Sequence, residues 1–260
     1  MAILHPPGGV VGGDELRLDA WIGSGAHTLL TTPAAGKFYR SAGPLASQTQ
    51  HLTVAAGAVL EWLPQENIFY SGARVHSLTQ VELQGDARFL GWEILCLGRP
   101  AAAETFQAGE CRQTLEIWRD GEPLYLERAR YPGGDPILEA VWGLQGQPVS
   151  AILLCVLPVS VQPFPSDLSS EVARESVVGG SALTIPKLVD AIRTGWEPAN
   201  TNMPIVARER VAVTALDGVL ICRYLGASAL RARLFFMLAW GLLRPVVLNR
   251  PPCPSRFWNT

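Results

Sequence analysis

Glu93 is the residue whose type and setting point most directly to chemistry. It lies in the segment ARFLGWEILCLG (87–98), where the two-residue period of a strand puts it on one face with Phe89 and Leu95. The opposite face is apolar as well, so the strand is predicted to be buried with Glu93 inside. A buried carboxylate is costly unless it is paired, hydrated or bound to a cation. Glu93 is therefore expected either to form a salt bridge with an arginine or to meet a cation.

Two further acids lie in the segment RQTLEIWRDGEPLYLER (112–128). We expect its Asp-Gly pair, residues 120–121, to form the two-residue turn of a β-hairpin. In that register Glu116 pairs with Tyr125, and Glu127 is its diagonal neighbour on the same face. This face is either simply in contact with solvent or lines a water-filled, acid-lined path.

The segment HPPGGVVGGD (5–14) concentrates prolines and glycines ahead of a carboxylate. It does not fit a dinucleotide-binding loop, because the glycine spacing is not GxGxxG and no amphipathic helix follows. The nearby Gly36-Lys37 imitates the end of a phosphate-binding loop, but Phe38 stands where Ser or Thr is required. The glycines are therefore interpreted as turns of the backbone that aim Asp14 inward.

No motif indicates a catalytic centre. Ser24 lies in IGSGA, which is not the GxSxG of a nucleophile elbow. The histidines are spaced too widely for a local metal site such as HxxxH; they are His5, His27, His51 and His76. This pattern favours a binding or scaffolding protein over an enzyme. Two alternatives stay open: a small β-rich hydrolase that uses Ser24 or a histidine, and a generic β-rich ligand-binding module.

The composition limits the classes of partner that the protein is expected to bind. The chain of 260 residues is 48% hydrophobic and only 17% charged, which indicates a surface covered by partner proteins. A net charge of −2 provides no basic patch for nucleic acid or an anionic membrane. The longest apolar run, 234–243, is far shorter than the roughly 20 residues that cross a bilayer. Five cysteines scattered singly suit a reducing compartment, so we expect a cytoplasmic protein.

Strand-like segments rich in β-branched, aromatic and leucine residues occupy most of the chain from about residue 26 to residue 130. Their short connections, without a helical period between them, predict a mainly β fold of stacked antiparallel sheets. Residues 160–170 read as a loop or linker, and residues 183–195 as a short helix. Residues 208–226 return to strand. The whole chain, 1–260, is expected to form a single domain.

The clearest helix is predicted at residues 228–243, with Ser228 as its N-cap. Leu234, Phe235 and Leu238 belong to its apolar stripe. Pro245 is expected to end the helix, because proline cannot donate the backbone hydrogen bond that would continue it.

Five segments, in order along the chain, resemble the urease accessory protein UreD family, also called UreH. They are LHPPGGVVGGD (4–14), TTPAAGKFYRS (31–41), LEWLPQENIFYSGA (60–73), GWEILCLGRP (91–100) and PSRFWNT (254–260). The family carries further strands before the first segment, which here begins at Leu4. The resemblance therefore predicts either a shortened start or an unpaired sheet edge.

The resemblance implies a non-catalytic protein of urease maturation. Family members bind apo-urease and the partner UreF, which recruits the GTPase UreG, and the assembly delivers nickel to the urease active site. The implied fold is mostly β, with stacked sheets wound in a helical manner and two α-helices, one near the C-terminus. An internal tunnel is the proposed route of the metal. No cofactor is expected to be bound permanently, and Ni²⁺ is expected only in transit.

The resemblance also assigns roles to residues. Asp14, Glu93 and Glu127 match family motifs and are expected to line the nickel path, with Glu116 as a further acid of the hairpin. Other motif residues are expected to serve the structure or an interface; they are Gly8, Gly9, Gly12, Gly13, Lys37, Tyr39, Arg40, Trp62, Gln65, Glu66 and Arg99.

Overall fold

The computed structural model describes residues 1–5, 7–157, 185–200, 209–216 and 218–259. The loop expected at 160–170 lies outside these ranges. In chain order the elements are β1 (Glu15–Ile22), β2 (His27–Leu30), β3 (Gly36–Phe38), β4 (Ala46–Val54), β5 (Val59–Trp62), β6 (Asn67–Phe69), β7 (Arg74–Leu83), β8 (Arg88–Leu97), β9 (Glu110–Arg119), β10 (Glu122–Pro132), β11 (Val149–Val156), α1 (Ile185–Asn200), β12 (Arg210–Leu216), β13 (Val219–Gly226) and α2 (Ala229–Leu248).

Two stacked β-sheets form the body of the protein. The first sheet has the order β1-β4-β7-β9-β10, and the second has the order β12-β13-β11-β8-β5-β2, with β6 joining β8 and β3 joining β6. The chain crosses to the other sheet after almost every strand up to β9, so successive coils stack as in a β-solenoid. The predicted mainly β fold with helically wound sheets and two helices is confirmed.

The predicted antiparallel pairing is wrong for the first half of the chain. Strands β1, β4, β7 and β9 pair in parallel, and so do β2, β5 and β8. A chain that passes to the opposite sheet returns to the first sheet in the same direction, so its neighbours there are parallel. Antiparallel pairing begins with β10, which turns back on β9, and continues in β11, β12 and β13.

Three apolar clusters hold the layers together. Two of them lie between the sheets, one around Leu52, Val81 and Phe89 and the other around Phe69 and Leu97. The third lies between the second sheet and the helices. Because side chains alternate across a strand, β8 supplies the inter-sheet clusters with one face and the helix cluster with the other. The two apolar faces predicted for this strand are confirmed.

Helix α2 differs from its prediction in length and in orientation. It begins after Ser228, whose hydroxyl accepts a hydrogen bond from the Arg231 backbone N–H, as an N-cap does. It continues through Pro245 to Leu248, because the last residues are buried and their packing outweighs the lost hydrogen bond. Leu234, predicted in the apolar stripe, is 41% exposed.

Buried polar contacts fasten α2 to the second sheet. Glu61 on β5 is fully buried, and its carboxylate accepts hydrogen bonds from Trp240 Nε1 at 2.6 Å and Arg244 Nε at 3.0 Å. On the same helix, Arg233 donates to Gln65 and lies 3.3 Å from the Glu66 carboxylate. The EWLPQE motif therefore anchors the helix.

Phe235→Ala is expected to lower the free energy of unfolding by about 3–5 kcal/mol, because its fully buried ring packs against Trp196 of α1. The neighbouring Leu234→Ala is the matched control, and its exposed position predicts a change within about 0.5 kcal/mol. Urea denaturation followed by circular dichroism measures both. Similar losses in the two variants would contradict the orientation of α2.

Candidate cation path between the sheets

A layer of polar side chains separates the two inter-sheet apolar clusters. Its centre consists of buried residues from three strands of the first sheet and from β8 of the second; these are Gln50, Thr79, Gln113 and Glu93. We call this set the polar layer. Because strand neighbours share a face, the layer crosses the sheets from strand to strand instead of running along one strand.

The register of the strands fixes the layer. In the first sheet Gln50 lies beside Thr79, and in the second sheet Glu93 and Arg223 lie on either side of Ile152. The preceding inward positions on two of these strands are polar as well, because Gln48 precedes Gln50 on β4 and Ser77 precedes Thr79 on β7; the inward positions that follow are apolar, Leu52 and Val81. The sequence contains this signal, because these polar residues interrupt the apolar alternation of the two strands.

Glu93 is held by neutral partners. Gln113 Nε2 donates to Glu93 Oε2 at 2.5 Å, Thr79 Oγ1 contacts Glu93 Oε1, and Thr79 Oγ1 also lies 2.5 Å from Gln50 Oε1. Among the described residues no arginine pairs with Glu93, so the salt-bridge alternative is wrong for this residue.

The geometry around Thr79 fits a protonated Glu93. Thr79 has one hydroxyl proton but lies between two acceptor oxygens, from Gln50 and Glu93. A proton on Glu93 Oε1 resolves this, since the acid then donates to Thr79, and Thr79 donates to Gln50. Burial raises the pKa of Glu93 above its usual value, although the hydrogen bonds from Thr79 and Gln113 lower it, and the charge of Glu127 raises it further.

A cavity of about 790 Å³ leads to this group from one side of the fold. Asp14 and Glu93 both line it, as do Lys37, Trp62 and Gln48. Two buried polar atoms on its wall, Gln48 Oε1 and Trp62 Nε1, have no hydrogen-bond partner among the described residues. Buried polar atoms require a partner, and a cavity of this size admits water that supplies one. The structure thus brings Asp14 and Glu93 to the same hydrated space.

The N-terminal glycines allow two motifs to pack closely at this cavity. A Cβ on Gly9 would lie 2.7 Å from Lys37 O, and one on Gly12 would lie 2.2 Å from Ser41 Oγ. Backbone hydrogen bonds join the two segments there: Val10 N donates to Lys37 O at 2.7 Å, and Tyr39 N donates to Val10 O at 2.9 Å. The glycines are therefore required for close approach more than for turning alone.

Asp14 closes the turn that follows these glycines. Its Oδ2 accepts a hydrogen bond from the Val11 backbone N–H at 2.9 Å. Gly13 just before it has a positive φ of 95°, while Gly8 is exposed with open space around it. The carboxylate of Asp14 is partly exposed and lines the cavity.

Glu127 lies at the opposite end of the layer, in an ion pair. Its carboxylate contacts the Arg223 guanidinium and the hydroxyl of Tyr125, and Arg223 Nη2 donates to Tyr125 Oη at 2.7 Å. Burial raises the pKa of Tyr125, and its hydrogen bond to Glu127 raises it further, so this phenol stays protonated. Glu127 is therefore held in an ion pair at this end of the layer, where the two sheets meet through β10 and β13.

The predicted register of the β9–β10 hairpin is wrong by one residue. A bulge after Pro123 pairs Tyr125 with Ile117 and Glu127 with Leu115. A one-residue shift moves side chains to the other face of a sheet. The shift moves Tyr125 and Glu127 to the inner face of Leu115 and Ile117, whereas Glu116 stays on the outer face, where its carboxylate pairs with Arg128 at 3.0 Å. The structure therefore separates Glu116 from the other acids.

The motif residues Tyr39, Arg40 and Arg99 make structural contacts. Tyr39 packs edge-on against Tyr70 at 4.9 Å, and the guanidinium of Arg99 lies over the same ring at 4.6 Å. Arg99 also pairs with Glu104 at 2.5 Å. Arg40 is exposed, and its stem covers the backbone at Gly72.

Only oxygen-bearing side chains are available as cation ligands in this layer. Burial raises the pKa of Cys111, the one cysteine that faces the inter-sheet space, so its thiol stays protonated. No cluster of three or more histidine, cysteine or acidic residues occurs within the described ranges. The described residues therefore offer no closed coordination shell for a metal ion.

The hydrolase alternative has no support in the geometry. Ser24 is exposed in the turn between β1 and β2. His27, the nearest histidine in sequence, directs Nε2 to the buried Glu61 at 2.7 Å. Within the described part of the chain no histidine hydrogen-bonds to Ser24. No helix in that part is long and apolar enough to cross a membrane.

The protonation of Glu93 predicts a pH-dependent stability difference. With a folded pKa above 4.5, Glu93 contributes stability that is fully present below that pH and is lost as the pH rises through the folded value. Glu93→Gln is neutral at every pH and keeps both hydrogen bonds, so it escapes this loss. The melting temperature of the variant minus that of the wild type is expected to rise as the pH increases above 4.5 and through the raised pKa of Glu93. A difference that does not change with pH would contradict a protonated Glu93.

Comparison with known proteins identifies the family. A family profile described as UreD urease accessory protein matches residues 1–259. The urease accessory protein UreD of Dechloromonas aromatica is 42% identical over 99% of this chain and 80% of its own length. UreD of Alcanivorax borkumensis is 41% identical over 99% of this chain and 76% of its own length. UreD 2 of Brucella anthropi is 38% identical over 99% of this chain and 82% of its own length. The chain therefore belongs to the UreD family of urease accessory proteins, which are not enzymes.

Proposed function

We propose that this protein is a cytoplasmic scaffold of urease maturation. It binds apo-urease and UreF, recruits UreG through UreF, and passes Ni²⁺ along the polar layer between its sheets. The single observation that carries the proposal is the position of the acids. Asp14 and Glu93 share one cavity, and Glu127 lies at the other end of the same layer.

The ligand chemistry supports transport rather than storage. Ni²⁺ accepts oxygen ligands, and the layer offers carboxylates, amide oxygens and a hydroxyl. A carboxylate at each stage, supported by Gln50, Thr79 and Gln113, attracts a cation without enclosing it. A conducting site needs binding that is strong enough to admit the ion and weak enough to release it.

The protonated state of Glu93 also helps the layer to bind the ion strongly enough to admit it and weakly enough to release it. A neutral acid between the sheets avoids the cost of an isolated buried charge while the path is empty. When a cation arrives, the carboxyl group loses its proton and becomes a ligand. The hydrated cavity that reaches Glu93 gives the displaced proton a way out.

Glu93→Gln and Glu127→Gln are each expected to reduce the nickel content of co-expressed urease several-fold, because each removes one anionic stage of the path. The control is Glu116→Gln, since Glu116 lies on the outer face of the hairpin that carries Glu127. Urease nickel is measured by atomic absorption, and complex formation with UreF by pull-down. Full urease nickel content with both Glu93→Gln and Glu127→Gln would refute the path. If a variant no longer forms the complex with UreF, its low urease nickel content is caused by the loss of scaffolding.

The exposed side of α2 is proposed as a contact of UreF. Leu230 is 54% exposed and Leu234 41% exposed on a helix whose opposite side is buried. Exposed apolar side chains that lie together mark surfaces that partners cover.

Leu234→Asp is expected to weaken UreF binding at least about tenfold, because a charge would be buried in an apolar interface. Leu45→Asp is the matched control, since Leu45 is similarly exposed, at 47%, but precedes β4 in the first sheet. Affinity is measured by biolayer interferometry on folded proteins. Unchanged affinity of the Leu234 variant would exclude this face as the contact.

A further inference from the structure

Arg223 occupies the end of the polar layer that the cavity does not reach. It is the residue of β13 whose side chain faces the first sheet at the level of Glu93, because Ile152 lies between the two in the register of the second sheet. Its guanidinium bonds to both oxygens of Glu127 and to the Tyr125 hydroxyl. About half of the side chain is exposed, so it lies where the layer meets solvent.

This contact makes Glu127 unavailable to a cation. Nη2 contacts Oε2, Nη1 lies 3.4 Å from Oε1, and the Tyr125 hydroxyl also donates to Oε2. The guanidinium is always charged and holds carboxylates through its planar fork. A divalent cation that approaches Glu127 must therefore displace Arg223 and also meets its positive charge.

The two ends of the layer differ in this respect. At the cavity end, Asp14 accepts a hydrogen bond from the backbone N–H of Val11, which leaves its negative charge uncompensated by that contact. Glu93 in the centre has neutral partners. Within the described part of the chain, the Arg223–Glu127 pair is the one ion pair formed by the acids of the layer.

We propose that Arg223 closes the Glu127 end of the layer to divalent cations and sets how tightly this end holds them. The inference rests on the proposed nickel path and adds a residue to it. In the closed state the guanidinium takes the place of the cation at Glu127. Movement of Arg223 away from Glu127 opens that end.

The chain contains a matched pair for the test. Arg128 and Glu116 form an ion pair at 3.0 Å on the outer face of the β9–β10 hairpin, and Arg128 lies one residue from Glu127. Removing Arg128 changes the net charge by the same amount as removing Arg223 but does not affect the layer. Arg223→Lys keeps the charge, and Arg223→Met removes it while filling a similar space.

Isothermal titration of the full-length chain with NiCl₂ tests the proposal. Arg223→Gln is expected to bind Ni²⁺ roughly tenfold more tightly or better, because one positive charge leaves the neighbourhood of the ion. Adding Glu127→Gln should abolish the gain, Arg223→Lys should bind like the wild type, and Arg128→Gln should show no gain. If Arg223→Gln does not fold, as judged by circular dichroism, Arg223→Met takes its place.

Unchanged Ni²⁺ affinity in folded Arg223→Gln, or an equal gain in Arg128→Gln, would overturn the closure. This outcome leaves the nickel path itself standing if Glu93→Gln still lowers urease nickel. Conversely, tighter binding in Arg223→Gln together with normal urease nickel in Glu93→Gln would establish Arg223 as a guard of Glu127 and reject the path.

Discussion

The burial of the Glu93 carboxyl group between two sheets is the constraint on which the rest of the site depends. An ionised carboxylate at that depth would need a positive partner, and Glu93 has Thr79 and Gln113 instead. A protonated Glu93 avoids this cost, and its neighbours donate hydrogen bonds to it or accept them from it. Those neighbours come from three strands of the first sheet, whereas Glu93 itself is on β8 of the second sheet, so a polar layer lies between the two apolar clusters of the inter-sheet core.

The solenoid makes such a layer possible because successive coils place inward side chains next to one another: Gln50 lies beside Thr79, and Gln113 lies one inward position away, beside Ser77. Around it, the recurrent motifs of the chain hold the frame rigid. The N-terminal glycines allow the first segment to pack on residues 37–41, and the EWLPQE motif fastens α2 through Glu61 and Gln65. The contacts of Glu61 and Gln65 with α2 are buried and fixed. The Arg223–Glu127 pair lies at the solvent boundary of the layer, where an exchange of partners costs least.

Much of this could be predicted from the sequence, and the failures have physical reasons. The apolar residues on both sides of Glu93 correctly indicated a buried acid. The parallel pairing was missed because strand periodicity carries no information on which sheet the chain enters next. The inward face of Glu127, and hence its separation from Glu116, was missed because one bulged residue at 124 reverses the faces of β10. Arg223 gave no local signal, since its partner on β10 lies 96 residues away in the chain.

Anomalous diffraction at the nickel absorption edge tests the central claim most directly. Crystals of the complex with UreF are equilibrated with Ni²⁺ at a pH at which carboxyl groups exchange protons readily. Their diffraction is compared with that of crystals without metal. The account predicts an anomalous peak inside the polar layer, within bonding distance of a Glu93 oxygen. Peaks confined to surface histidines such as His5 and His51, with none between the sheets, would contradict it.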